Sequence, residues 1–412
     1  MTLVLRGATV IDGTGAEPLT GADVAVDGER ISSVGRVASR GDEVIDVSGL
    51  TVLPGLIDAH VHLGLSTNID ATLRGDVSVA EMAAAMFDNC ATTLDAGFTT
   101  VRDTGGIDAG LVGVVATGKV RGPRILCAGP VLCQTGGHGH FAPKWEPSCR
   151  WQDHDVPGLV GLSLLTDGVD DMRRNAREAF RRGADFLKLC VTGGVVSKHD
   201  KISDTQFSVE EIAAAVAEAN ARGTYVTVHA HNNVGVRNAI TAGARCVEHG
   251  SELDAATVAL MVEHDVALVP TLAVMHLLVT NPGPMGIPAE IAARVHQVED
   301  QTLRAVRLAV EAGVRVGSGS DLIGAEQDRR GLELVLKSKL LDPMTALVCA
   351  TRANADILGL ADLGTLETGK MADLIAIDGD PLADPELFDR PERIPLVVKN
   401  GRIVKNTGWR SA

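Results

Sequence analysis

Hydrophobic and polar positions follow two rhythms along this chain. Near the start, apolar residues occupy every second position in short runs: 3–11, 23–27, 31–34 and 43–46. Several of these runs end on Asp-Gly or Gly, which are hairpin signals, and a period of two turns one face of each run toward a core. The last fifty residues read the same way. A run at 373–378 leads into the turn Gly379-Asp380-Pro381, and runs at 395–399 and 402–405 flank Asn400-Gly401, the preferred two-residue hairpin turn. Neither end shows a core of its own. Both are therefore expected to join in one small β-sandwich, built from 1–54 and 359–412.

Between them the rhythm changes. Apolar strands are expected at 53–63, 98–104, 124–132, 185–192, 224–231, 246–250, 267–274 and 315–320. Helical periodicity falls between most of them, at 79–95, 169–182, 208–222, 233–242, 254–263 and 287–312, with a weaker stretch near 109–118. Ser208 with Glu211 three residues on is a capping-box start. Eight strands with helical crossovers over 55–358 predict an α/β protein of the (β/α)8 TIM-barrel class. The aperiodic segment 133–168 is long for a connection and is expected to be a functional loop.

Composition narrows the partners. The 412 residues carry 38 Lys+Arg against 53 Asp+Glu, a net charge of −15. That excludes nucleic-acid binding by bulk charge and adhesion to an anionic membrane. No apolar run approaches the roughly 18 residues of a membrane span, and the N-terminus lacks the pattern of a signal peptide. The seven cysteines are scattered without a CxxC pair, which predicts reduced thiols in a cytoplasmic protein.

Candidate chemistry gathers at the expected strand ends, where barrel active sites lie. Strand one ends His60-Val61-His62, with both side chains on one face. Strand four holds Lys188 inside the apolar stretch DFLKLCV, where an amine needs a partner or a changed charge. Strand five ends His229-Ala230-His231, strand six Glu248-His249-Gly250, and strand eight Asp321. Each signal alone is ordinary. Together, imidazoles and a carboxylate at matching strand ends suit a divalent metal, Zn first, with Mn, Co or Fe open. Asp103 and Thr271 point to the same mouth and are expected to serve as core or capping residues. Arg173, Arg174, Arg177, Arg181 and Arg182 read as a solvated helix face.

PGLIDAHVHL, Lys188, His229, EHG and the final GSD together resemble the amidohydrolase superfamily, as does GTLETGKMADLIAID near the end. The resemblance implies two divalent metal ions. His60, His62 and Asp321 would hold one, His229 and His249 the other, and a Lys188 carbamylated by carbon dioxide would bridge them. It also implies a metal-activated hydroxide as nucleophile and Asp321 as proton shuttle. His231 would be a substrate or supporting contact, with the roles of His229 and His231 exchangeable.

A closer resemblance rests on Gly136-Gly137-His138-Gly139-His140, the TGG at 192–194 and DTQFS at 204–208. It points to imidazolonepropionase-like proteins and to dipeptidases and carboxypeptidases that cleave Xaa-Pro, Xaa-Arg or Xaa-Lys. That branch implies a substrate contact from His140, with His138 as the alternative, and backbone contact near Gly193. The substrate expected is a dipeptide or N-acyl amino acid. A cyclic amide, an aryl amide of the ochratoxin type, a urea or a carbamate is the alternative. A non-catalytic binding protein is disfavoured because every expected ligand is present. Family habit implies a homo-oligomer. His231 stands where those peptidases often have Tyr, which leaves the exact substrate open.

Overall fold

The structure, a computed structural model, describes residues 2–37, 41–67, 69–73, 75–196, 199–281 and 289–408. Strands from both chain ends form one eight-stranded sheet. Seven of them run in the order Arg402–Asn406, Leu396–Lys399, Leu374–Asp378, Leu50–Pro54, Thr2–Val10, Leu19–Asp27 and Arg30–Gly35, and the eighth, Glu43–Asp46, lies off this path. The seam between the ends is antiparallel, with Leu53 opposite Ile375. Asn400 and Gly401 both take positive φ, 49° and 70°, the left-handed pair that the Asn-Gly turn requires.

These strands are hydrogen-bonded into one continuous sheet. Its Thr2–Val10 strand shifts register between Leu5 and Ala8. It pairs with Glu43–Asp46 along its first half and with Leu50–Pro54 along its last. Leu5, Val24, Val52, Leu374 and Val398 share one core.

The middle of the chain is α/β with parallel strands. Leu56–Val61, Phe98–Asp103 and Arg124–Cys127 form one sheet. Val131–Cys133, Leu187–Cys190, Val226–Ala230, Cys246–His249 and Ala267–Val269 run on in a second, with Ser163–Leu165 at its edge. Backbone bonds link the two. Asp185 N donates to Cys127 O at 2.8 Å, Gly317 N to Leu268 O at 2.8 Å, and Ala59 N to Ser318 O at 2.9 Å.

Alternation along these strands explains the placement of the chemistry. Leu187, Leu189, Val228 and Val247 face outward and pack with Ile212, Val236 and Met261 of the covering helices. Lys188, His229 and Glu248, at the alternate positions, face inward.

The expected helices are observed as Val79–Asp95, Ala109–Ala116, Val169–Arg181, Val209–Asn220, Asn233–Ala242, Ala255–Glu263 and Ala289–Glu311. The first residues expected of the last one, 287–288, lie outside the described residues. The capping box forms as expected: Glu211 N donates to Ser208 Oγ, and Ser208 N donates to Glu211 Oε2 at 2.7 Å.

Four expectations at the strands need correction: 53–63 divides between Leu50–Pro54 and Leu56–Val61, and 124–132 between Arg124–Cys127 and Val131–Cys133, each pair on separate sheets. The run 267–274 is a strand only over Ala267–Val269, because Thr271 turns to φ 54° and the helix Leu272–Thr280 follows. The strand expected at 315–320 keeps a single bridge, Leu268 to Val316. Every cysteine is unpaired, as expected. No helix among the described residues is long and apolar enough to cross a membrane.

Candidate metal centre

His60 and His62 leave the first central strand on the same side, and Asp321 meets them from the turn after 315–320. Asp321 Oδ1 lies 3.3 Å from His60 Nε2 and 3.2 Å from His62 Nε2, and the two nitrogens are 3.3 Å apart. Ligands 2.0–2.1 Å from a tetrahedral zinc are separated by about 3.3 Å, so this triangle matches three corners of such a site. On the far side of the carboxylate, His249 Nδ1 is 3.8 Å from Asp321 Oδ2. His60, His249 and Asp321 offer ligand atoms all within 4.8 Å of one another. The His229 and His249 ring centroids are 4.6 Å apart.

Lys188 Nζ lines the same cavity. It is buried and has no hydrogen-bond partner. Burial lowers its pKa and favours the neutral amine. An orphaned amine within a ring of imidazoles and a carboxylate fits a divalent metal centre, which would satisfy all of them at once.

Ionisation is consistent with ligation. Burial opposes the Asp321 carboxylate, but His60 and His62 hold its pKa well below the usual range. Burial keeps His229 and His249 neutral, the form that binds metal. His62 is raised: burial opposes its charging, and the bond to Asp321 outweighs it.

The ligands are oriented from behind. His62 Nδ1 donates to Gly105 O at 2.7 Å and His60 Nδ1 to Glu248 Oε2 at 2.7 Å, so both Nε2 lone pairs face the cavity. His249 Nδ1 meets Thr271 Oγ1 at 2.7 Å, which gives Thr271 a role beyond capping. His249, Thr271 and Asp321 all have positive φ, at 70°, 54° and 55°. Non-glycine residues held there store on the order of 1 kcal/mol each, and such strain gathers at functional sites.

The glycine-rich loop after the third central strand delivers His138, the alternative of the two histidines, into the cavity. Its ring stacks on His229 at 4.1 Å and 19°. Its Nδ1 is buried without a hydrogen-bond partner, 4.0 Å from Asp200 Oδ2. Gly194 makes room for it, since a Cβ there would fall 1.9 Å from His138 Cε1. His140 points elsewhere. Its ring packs edge-on against Trp151, and Gly136 N donates to its Nδ1 at 3.0 Å. Gly193 directs its carbonyl to His229 Nε2 at 3.3 Å and lines neither cavity at the site. His231 stacks on His249 at 5.0 Å and bonds Ser251 Oγ at 2.9 Å; burial drives its pKa down to about 3.

The sequence profile of the amidohydrolase family matches residues 51–404. The chain belongs to the amidohydrolase family. A prolidase solved with N-methylphosphonate-L-proline superposes on this amidohydrolase with a TM-score of 0.92 and 36% identity, over 99% of this chain and 100% of its own. An Xaa-Pro dipeptidase with methionine in its active site superposes at 0.87 with 31% identity, over 98% and 100%. Ochratoxinase of Aspergillus niger is 31% identical over 423 residues, 99% of this chain and 87% of that one. This amidohydrolase is a hydrolase acting on amide bonds.

Sequence reasoning passed over the charges beneath the amidohydrolase site. Glu248 is fully buried. Its Oε1 accepts from Arg102 Nη2 at 2.6 Å and from Thr227 Oγ1, while Arg102 Nε donates to Ala59 O at 2.6 Å. Asp58 Oδ1 accepts from the backbone of both His60 and Ser320, and its Oδ2 from Ser320 Oγ at 2.6 Å and from buried Arg330. Asp58 thereby ties the two ligand-bearing strand ends together. The available signal was a charge inside an apolar strand: Asp58 in LIDAHV, Arg102 in FTTVRD and Glu248 in CVEH. The five arginines of 173–182 lie away from the site, as expected; Arg174, Arg177 and Arg181 pair with Asp171, Glu218 and Glu178 on an exposed face.

Proposed function

We propose that the chain is a binuclear-metal amidohydrolase, with Zn2+ the first choice of metal, that releases a C-terminal amino acid from a dipeptide or N-acyl amino acid. The scaffold in this reading is a (β/α)8 barrel over 55–358 carrying a small domain made by 1–54 and 359–412. The backbone bonds from Ala59 to Ser318 and from Asp185 to Cys127 support it.

The observation that carries the metal reading is the buried, partnerless Lys188 Nζ facing His60, His62, His229, His249 and Asp321. His60, His62 and Asp321 would hold one ion, and His229 and His249 the other. A neutral Lys188 amine would add carbon dioxide, forming an N–C bond and losing one N–H proton to solvent, and the carbamate oxygens would serve as further anionic ligands. Bound there, divalent metals polarise an amide carbonyl and bring the pKa of water toward neutrality.

The chain's own groups do the rest. Asp321, ionised at rest, accepts a proton from the attacking water at a carboxylate oxygen and passes it to the leaving amine nitrogen. His138, which lines the cavity beside His229, would hydrogen-bond the developing oxyanion through a ring nitrogen.

Metal analysis of the purified protein, alongside hydrolysis of a library of dipeptides and N-acyl amino acids, tests the proposal. Near two divalent metals per chain with release of a C-terminal amino acid is the expected result. No metal after reconstitution with zinc and bicarbonate would overturn it.

A further inference from the structure

The site opens into two apolar lobes, and we infer that they receive the two sides of the scissile bond, so that the preferred substrate is a small amide carrying an apolar group on each side. This rests on the amide-hydrolase reading above and adds what the amide must carry.

The lobes share a rim that includes His62, His138, His229, His249 and Asp321. One lobe, of ≈ 100 Å³, runs toward the second and third central strands and is walled by Val131, Leu162 and the Gly105 and Gly106 backbone. The other, of ≈ 110 Å³, runs toward the helix Leu272–Thr280 and is walled by Val195, Val274, Met275, Leu278 and Ile323. The walls come from different elements, so the lobes extend from the shared rim into different parts of the molecule. An amide carbon held at that rim has one substituent directed into each.

Size and charge set the chemistry. A dry cavity of about 150 Å³ binds benzene, so lobes of this size take one small side chain each rather than a longer peptide. Among the described residues, Lys188 is the one Lys or Arg lining either lobe, and the metal reading already uses it. A basic side chain would be stripped of water against Leu162 or Leu278, and Asp321, the one carboxylate lining either lobe among the described residues, is engaged by the metals in that reading. An acidic side chain would likewise lose its water with no arginine and no second lysine to receive it. Hydrolysis there breaks the C–N bond, adds the water oxygen to the acyl carbon and leaves its protons on the acid and amine products.

The full-length metal-loaded protein should be assayed on dipeptides with Leu, Phe, Lys or Glu at each position. Leu or Phe at both positions is expected to exceed Lys or Glu at either by about tenfold or more in kcat/KM. Val131→Glu and Ile323→Glu, one in each lobe and both at half-buried positions, should each raise the relative rate for Lys at one position, and at opposite positions. Calorimetry of free leucine and free lysine on the wild-type protein makes the same comparison without a variant or turnover, and leucine should bind more tightly. Charged residues accepted as well as Leu, equal binding of the two amino acids, or both variants acting on the same position would overturn the inference. If no amide is cleaved at all, the amide-hydrolase reading fails instead, and the calorimetric comparison alone then decides whether the lobes select apolar groups.

Discussion

His60 Nδ1 lies 2.7 Å from Glu248 Oε2, and neither side chain is more than 1% exposed. That contact fixes the imidazole tautomer and aims Nε2 at Asp321. Burial opposes the Glu248 charge, yet Arg102 and the bond from His60 hold its pKa far below the usual range. Glu248→Gln removes the charge that orients His60 and leaves the Arg102 guanidinium buried without compensation. Metal affinity should fall by roughly ten- to a hundredfold, and stability by about 3 kcal/mol. Metal titration and thermal unfolding check the two parts separately. Unchanged affinity would show that His60 needs no orienting partner.

Lys188→Ala should lose at least one metal ion and most of the turnover, about a hundredfold or more, because the bridge between ions disappears. Acetate or propionate should restore part of both by occupying the vacated space. Metal content by mass spectrometry, with and without added acid, is the measurement. Two metals and full rate in Lys188→Ala without acid would refute the bridging role.

Asp321→Asn should keep the fold, and Asn can retain one oxygen toward the cavity. Turnover should drop by roughly 10²–10⁴, the range of a lost general acid–base. Circular dichroism and steady-state kinetics on the same preparation separate folding from chemistry. A variant within a fewfold of wild type would move the proton shuttle to another group.

His138 and His140 are two residues apart and should behave differently. His138→Ala should lower kcat/KM by about 10²–10³, as expected for a lost oxyanion donor, with little change in melting temperature. His140→Ala removes a ring packed on Trp151 and should cost about 1–2 kcal/mol of stability with a small effect on rate. Parallel kinetics and thermal melts decide. The reverse pattern would place His140 at the substrate.

The strand ends were legible because alternation separates inward from outward positions, and a histidine or lysine inside an apolar strand stands out. Their meeting at one point follows from the parallel order of the strands. The helix Leu272–Thr280 was not legible, since LAVMHLLVT is apolar on all sides and fits a strand or a buried helix equally. What divides it from the strand is the left-handed Thr271, set by its contact with His249 rather than by local propensity. Arg102 and Glu248 were invisible as a pair because 146 residues separate them, and no spacing rule spans that distance. Choosing between His138 and His140 depended on a glycine-rich loop without periodicity, and on Gly194 yielding space to one ring.

The seam between the chain's two ends also sets an order of events during synthesis. Thr51 Oγ1 donates to Gly379 O, a partner 328 residues further on. While the ribosome is still making the middle of the chain, the Leu50–Pro54 edge has nothing to pair with, and an unpaired apolar edge invites association with other chains. Closing so long a loop is also slow compared with local folding. The first strands can pair among themselves early, but the second edge of Leu50–Pro54 stays open until Leu374–Asp378 has been made.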